Sequence, residues 1–458
     1  MTSTFFGLET ALRSLRANQE ALDTTGHNIA NASTPGYSRQ QAVLTATLPL
    51  TLPAGGHDGV PLSLGSGVEV SSVQRIRDQF LDLQYRAQNT LHGYSSQMAT
   101  SLGEAQTAMA EPSDDGLAAR MQTFWNAWSD LSNDPTSTAA RQALIDAGTD
   151  LAEGISTLDG RLQTVADQAA DQYTSLMDAD GPVKADADEL AELNDAIADA
   201  TQRGDAANDL MDRRDQLIDQ LSGYAYVKVV PSTTRAGAVT VYFGDTSATP
   251  TALVDGDVRG AAAVVTWPPT LSADPQGELG ALKDLSSTTS GPIADLRTQL
   301  NAIAKSLVDA VNDAYTAGGT VTGSFFSATA GSEAATIAVD PSVTVASLHT
   351  GTGAAGSNDI ALAVSALRDQ SGGADDLYAA FASHVGSYVQ NAQRDETLSQ
   401  SLTDSIDANR QSVSGVSLDE EMTNLIKFQR AYQASARMLT TLDSVLDQLI
   451  NRTGVVGL

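Results

Sequence analysis

Residues 418–450 read LDEEMTNLIKFQRAYQASARMLTTLDSVLDQLI, and within them Leu418, Leu425, Tyr432, Leu439 and Leu446 recur every seven residues. Seven-residue spacing keeps an apolar seam on one side of a helix, the pattern that suits packing along another helix. Ser417 and Glu420 stand at the spacing of a capping box at its start. At 1.5 Å per residue, a helix from Leu418 to Ile450 extends ~50 Å. A matching series, Leu8, Leu15, Leu22 and Ile29, lies near the other end of the 458-residue chain. Such a series also fits one face of an ordinary bundle. Its presence at both ends predicts helices that pair with each other at one extremity of the molecule.

Charge separates the ends from the middle. Residues 1–50 and 416–458 carry net charges of 0 and −1, so −29 of the total −30 falls on the middle. Neutral ends can crowd together without strong self-repulsion, whereas an acidic middle is best left facing water. Nucleic acid and anionic membrane both require basic surface and are not expected as partners. No apolar run approaches the ~20 residues needed to span a bilayer. No conventional secretory signal opens the chain, and the absence of cysteine removes disulfides from consideration.

After the first heptad series the chain reads Asn28-Ile29-Ala30-Asn31-Ala32-Ser33-Thr34-Pro35-Gly36-Tyr37-Ser38-Arg39-Gln40, where a Pro-Gly pair stops a helix and turns the chain. Residues 41–77 read as a hairpin-like connection: β-prone runs at Val43–Leu48 and Val68–Val73 flank Pro53, Gly55, Gly56, Gly59, Pro61, Gly65 and Gly67. Residues 78–223 are helical in pattern, with breaks at Glu111–Gly116, Asn133–Pro135 and Asp180–Pro182. Residues 224–279 read as a small β-rich outer domain around Tyr226–Val230 and Val239–Phe243. Residues 280–415 return to the helical bundle, pausing from Gly318 to Asn358. The expected fold is mainly α with β-rich insertions: a long helical bundle built by the N- and C-terminal parts, with the small β domain inserted in the middle.

The turn motif resembles that of the flagellar axial proteins, and its Thr34-Pro35-Gly36-Tyr37-Ser38-Arg39-Gln40 form is similar to the hook-filament junction members. Further similar segments follow in order: Gly67–Val70, Arg75–Leu81, Ala140–Ile145, Asp212–Ile218, Ser414–Glu421 and Phe428–Ala436. The sequence departs from longer relatives after Phe325-Phe326, where they carry a further β-rich insert. The resemblance implies a non-enzymatic structural subunit whose ends, 1–40 and 416–458, are mobile in the monomer and fold on assembly. It implies as partners the hook protein, a second junction protein on the filament side, copies of itself in a ring, and a cytoplasmic export chaperone on the C-terminal helix. It also implies an extracellular place in the flagellum, reached through the flagellar type III channel without a cleaved signal. The assembly interface is expected to comprise Leu8, Leu15, Leu22, Ile29, Asn31, Thr34, Pro35, Gly36, Tyr37 and Arg39 with Leu418, Leu425, Tyr432, Leu439 and Leu446. A hook or rod subunit is the near alternative, and a secreted enzyme the distant one.

No residues nominate catalysis, a cofactor or a metal. Gly351-Thr352-Gly353-Ala354-Ala355-Gly356 matches a dinucleotide-binding pattern but lacks the alternating strands and helices that such a site needs. Asp178, Asp180, Asp186, Asp188 and Glu189 crowd together with Gly181 misplaced for a calcium loop, and read as a solvated acidic linker. His27, His57, His92, His349 and His384 are scattered without metal spacing. Phe124, Trp125 and Trp128 are expected in a helix-pair core.

Overall fold

The computed structural model describes residues 5–52, 62–109, 113, 116–272, 276–317, 322–354 and 356–452. The chain opens with helix α1 (Phe6–Ala30), followed by strands β1 (Gln40–Ala46), β2 (Leu50–Leu52), β3 (Leu62–Leu64) and β4 (Val68–Arg75). β1 pairs antiparallel with β4, and β2 with β3, in two separate two-stranded ladders. Pro53, Gly55, Gly56, Gly59 and Pro61 lie outside the described residues, as do most of Glu111–Gly116 and Ala355 of the glycine-rich turn.

Five helices come next: α2 (Gln79–Met109), α3 (Leu117–Asn133), α4 (Thr138–Leu176), α5 (Pro182–Arg203) and α6 (Asn208–Tyr224). The three expected breaks separate α2 from α3, α3 from α4, and α4 from α5. Ser137 caps α4 by accepting from the Ala140 amide at 3.2 Å, and Pro182 occupies the first turn of α5, where its missing N–H costs nothing. A fourth break, between α5 and α6, rests on Gly204, whose φ of +83° ends α5 in the left-handed region that other residues avoid.

The β-rich segment is a three-stranded antiparallel sheet of β5 (Val227–Pro231), β6 (Val239–Phe243) and β7 (Ala252–Val254), in the order β5-β6-β7. Its inner side chains, among them Val241, Phe243 and Leu253, form a separate core with Val183, Leu190, Leu217 and Ile218 of α5 and α6. Helix α7 (Gly277–Ser286) starts within residues expected to be β-rich. Six of its ten residues, Gly277, Leu279, Gly280, Ala281, Leu282 and Leu285, are buried, leaving too short a polar face to reveal a period.

The return path comprises α8 (Pro292–Thr316), β8 (Phe326–Ser327), α9 (Glu333–Thr336), β9 (Ala338–Val339), α10 (Asp359–Ser365), α11 (Ala374–Ser414) and α12 (Leu418–Asp447), which ends in a π-turn at Gln448–Arg452. α2, α4, α7, α8 and α11 pack into a helical body with α3 and α10 against one end. Phe124 and Trp128 of α3 meet Tyr315 of α8 and Phe325 and Phe326 there, with ring centroids 4.9–6.4 Å apart. β8 pairs antiparallel with β9, Phe326 opposite Val339 and Ser327 opposite Ala338. α11 runs antiparallel to α2, with Ser95 Oγ 2.6 Å from Ser399 Oγ.

Candidate assembly interface

α1 and α12 form an antiparallel pair. A Cβ on Gly7 would stand 3.4 Å from Leu442, Ser14 Oγ lies 2.9 Å from Ser435 Oγ, and Asn28 Nδ2 donates to Glu421 Oε2 at 3.1 Å. From one contact to the next both helices advance by whole heptads, so the register is constant along the pair. The α12 side of the seam includes Leu425, Phe428, Tyr432, Leu439, Leu442 and Leu446, all half-buried. Leu418, expected on that seam, is 53% exposed, because it precedes the point at which α12 meets α1.

The α1 side is displaced from the expected stripe. The buried line runs through Ala11, Asn18, Ala21, Thr25 and Asn28, with Gly7 and Ser14 in phase, while Leu8, Leu15, Leu22 and Ile29 form a half-buried flank one residue away. Small side chains let the helix axes approach, and α1 also packs on β1 and β4, which draws its larger residues to the edge. Asn18 and Thr25 are satisfied within α1: Asn18 Nδ2 donates to Ser14 O at 2.7 Å and Thr25 Oγ1 to Ala21 O at 2.9 Å.

The base of this pair is a polar knot. Pro35 and Gly36 (φ +78°) take the two central positions of a turn closed by the Tyr37 amide on Thr34 O at 3.2 Å. Asn31 holds the approach, accepting from Thr34 Oγ1 and donating to His27 O. The turn throws Tyr37, Arg39 and Gln40 back against α1. Asn28, 1% exposed, uses its whole amide: Oδ1 accepts from Tyr37 Oη (2.8 Å) and Gln40 N (2.9 Å), and Nδ2 donates to Gln40 O (2.8 Å) and to Glu421. Arg39 donates to Glu421 Oε1 at 2.7 Å and to Glu420 Oε2 at 2.6 Å. Ser417 Oγ accepts from the Glu420 amide at 3.5 Å, but the Glu420 carboxylate serves Arg39, so only half of the expected capping box forms. Burial, then the nearby Asp209, Asp212 and Glu421 carboxylates, push the Tyr37 hydroxyl well above its usual value.

Below the turn, α6 supplies Asp212, Asp215 and Asp219, which share one face at i, i+3 and i+7. They meet guanidinium groups from three other segments. Arg75 donates to Asp212 (2.7 Å) and Asp215 (2.9 Å), Arg77 lies 3.2 Å from Asp215, and Asp219 is shared by Arg86 (2.7 Å) and Arg410 (2.6 Å). Arg410 also stacks 4.0 Å from the Tyr85 ring centroid. Burial opposes ionisation of Asp215, but Arg77, with Arg75, Arg214 and Arg86, outweighs it and holds the carboxyl below the ordinary carboxylate value. The knot thus ties both chain ends to α2, α6 and α11.

Against known proteins, residues 8–37 match the family described as flagella basal body rod protein, and residues 407–452 match the C-terminal family of flagellar basal body rod FlgEFG proteins. Residues 102–328 match the helical domain of flagellar hook-associated protein FlgK. The chain is 31% identical over 513 residues to flagellar hook-associated protein 1 of Bacillus subtilis, covering 100% of both chains. The chain belongs to the flagellar hook-associated protein 1 family. Its likeness to hook-associated protein 1 of Escherichia coli is 26% identity across 97% of this chain and 99% of the relative. With the Salmonella typhimurium relative it is 31% across 67% of this chain and 56% of the relative. A solved structure, that of the flagellar hook junction protein FlgK from Burkholderia pseudomallei, aligns at 22% identity with a TM-score of 0.45, covering 54% and 47% of the two chains.

In this member of the hook-associated protein 1 family, the segments suggestive of other chemistry serve the fold. Asp359 accepts from the Thr352 amide (2.9 Å), Thr352 Oγ1 (2.7 Å) and Ser357 Oγ (2.6 Å), so a carboxylate of the chain itself occupies the glycine-rich turn. The bonds from Ser357 and Thr352 lower its pKa to about 2. Of the residues read as a solvated acidic linker, only Asp178 and Asp180 are exposed between helices; Asp186, Asp188 and Glu189 lie half-buried in α5, whose helix starts at Pro182, and there Asp188 pairs with Lys184 and Glu189 with Arg213. Among the described residues no group of three or more His, Cys, Asp or Glu side chains could hold a metal ion, and no helix is long and apolar enough to cross a membrane. Phe124, Trp125 and Trp128 are buried as expected, and Trp125 Nε1 donates to Asp375 at 2.8 Å. His57 lies outside the described residues.

Proposed function

We infer that this chain is a structural, non-enzymatic subunit of the bacterial flagellum at the hook-filament junction, acting outside the cell through its two ends. The observation that carries this reading is the α1/α12 pair. Among the described residues α12 has an extensive contact only with α1, beyond its own π-turn. It leaves Met422, Ile426, Met438 and Val445 46–50% exposed on two flanks. Glu421 is its single fully buried residue. A two-helix pair with so little burial gains most of its stability from further neighbours.

On this reading residues 1–40 and 416–458 are assembly helices that are mobile in the monomer, 78–223 with 280–415 form the helical body, and 224–279 the outer domain. The half-buried Leu8, Leu15, Leu22 and Ile29, beside the seam, are placed to meet neighbouring subunits. The partners are the hook protein, the filament-side junction protein and copies of the chain in a ring. A cytoplasmic chaperone covers the C-terminal helix before export through the flagellar type III channel. Replacing Leu425 and Leu439 together by Asp tests the reading: the helical body stays folded by circular dichroism while incorporation into flagella and swimming are lost. Normal motility in that variant overturns it.

A further inference from the structure

Within the helical body, α2 and α11, with the start of α8, line an apolar groove of about 700 Å³, floored by Met98 and walled by Leu91, Leu398 and Leu402. These three leucines are 56%, 59% and 45% exposed, an unusual cost unless something covers them. Asp395 lies on the same face of α11, at i, i+3 and i+7 with Leu398 and Leu402. It is exposed and makes no ion pair among the described residues.

α12 carries the complement. Met422, Ile426 and Arg430 follow one another at four-residue intervals along a single flank, the first two half exposed and the third exposed. Arg430, like Asp395, makes no ion pair among the described residues. Laid antiparallel on α11, this flank sets Met422 against Leu402, Ile426 against Leu398 and Arg430 against Asp395. The two series stay in step to within one residue, about 1.5 Å of helical rise. In a chain of net charge −30, a guanidinium beside two apolar side chains distinguishes this flank of α12 from bare acidic surface and complements the carboxylate of the groove. Within one molecule α12 lies along α1 and not on α11.

We propose that the α2/α11 groove of one copy seats the Met422–Arg430 flank of α12 from a second copy, a helix-in-groove contact. The inference rests on the assembly reading above and adds the contact through which adjacent copies engage.

The chain has no cysteine, so disulfide trapping reads the contact without background. Junctions are isolated from cells whose only copy is the L398C/I426C variant, and from cells carrying L398C/V445C, which samples the other flank of α12. The expected result is a ladder of disulfide-linked multimers, lost on reduction, from the first variant alone, since a disulfide requires Cα atoms about 5–6 Å apart. Incorporated but monomeric L398C/I426C protein overturns the contact and leaves the assembly reading standing, as does a ladder from the Val445 variant instead. Absence of the wild-type chain from isolated junctions overturns the assembly reading and the contact together. Charge reversal supplies an independent readout: D395R and R430E each reduce incorporation, and the D395R/R430E double variant restores it; failure of the double variant to recover counts against the contact.

Discussion

Asn28→Ala is expected to loosen the knot at the base of the terminal helices while sparing the helical body. The truncation removes three neutral hydrogen bonds, to Tyr37 and the Gln40 backbone, and one to the Glu421 carboxylate. At roughly 1 kcal/mol for each neutral bond and about 1.5 kcal/mol or more for the charged one, the gross loss exceeds 4 kcal/mol. Water entering the vacated space recovers part of this, leaving about 3 kcal/mol. Hydrogen exchange resolved by residue on the incorporated subunit is the assay, read at two amides whose own bonds the substitution leaves intact: Arg39 N to Ser414 O and Ile76 N to Arg39 O, both 2.8 Å. A loss of about 3 kcal/mol accelerates their exchange roughly 100-fold. Asn18→Ala is the control, since the Asn18 amide bonds only to Ser14 of its own helix, and it leaves both amides nearly unchanged. Unaltered exchange at Arg39 and Ile76 in Asn28→Ala would refute the idea that Asn28 joins the turn to α12.

Three further outcomes are expected. Asp215 has a folded pKa below its unfolded value of about 3.9, so its stabilisation is present above that value and lost as pH falls through the folded pKa; Asp215→Asn accordingly lowers the thermal midpoint at pH 7 much more than at pH 2.5. Asp186 shows the opposite sign: burial, then Glu189, raise its carboxyl to about 6 against the pull of Arg213, so ionisation costs stability as pH rises, and Asp186→Asn raises the midpoint at pH 7 but not at pH 4. Phe325→Ala empties the centre of the aromatic core and costs about 3–5 kcal/mol in denaturant unfolding.

The elements most legible in the sequence are those whose signals are local. The breaks at Pro135 and Pro182, the hairpin runs and the strands at Val227 and Val239 all follow from residues within a few positions of each other. The α12 seam was legible because leucines and an aromatic mark it. On α1 the leucines mark the flank beside the seam, while the close approach to α12 is made by Gly7, Ala11, Ser14 and Ala21, which carry little hydrophobic signal. The knot could not be assembled from sequence, since it joins residues as distant as Asn28 and Glu421. One trace of it was available: Asp212, Asp215 and Asp219 make an acidic stripe on α6, and a stripe of like charge on a helix otherwise buried requires cations from elsewhere. Which arginines answer it depends on the tertiary fold alone.

The register of α1 against α12 also orders events in time. Ser14 meets a partner 421 residues later, and Asn28 one 393 residues later. Whatever emerges first, α1 has no mate until the last tenth of the chain is delivered, and closing so long a loop becomes inexpensive only after the intervening body has folded and brought the ends near. Knot closure is therefore the final step of maturation. A chain interrupted anywhere before Glu421 can build its core and its outer sheet yet still lack the terminal pair, so only a whole subunit can close that pair as it takes its place among others.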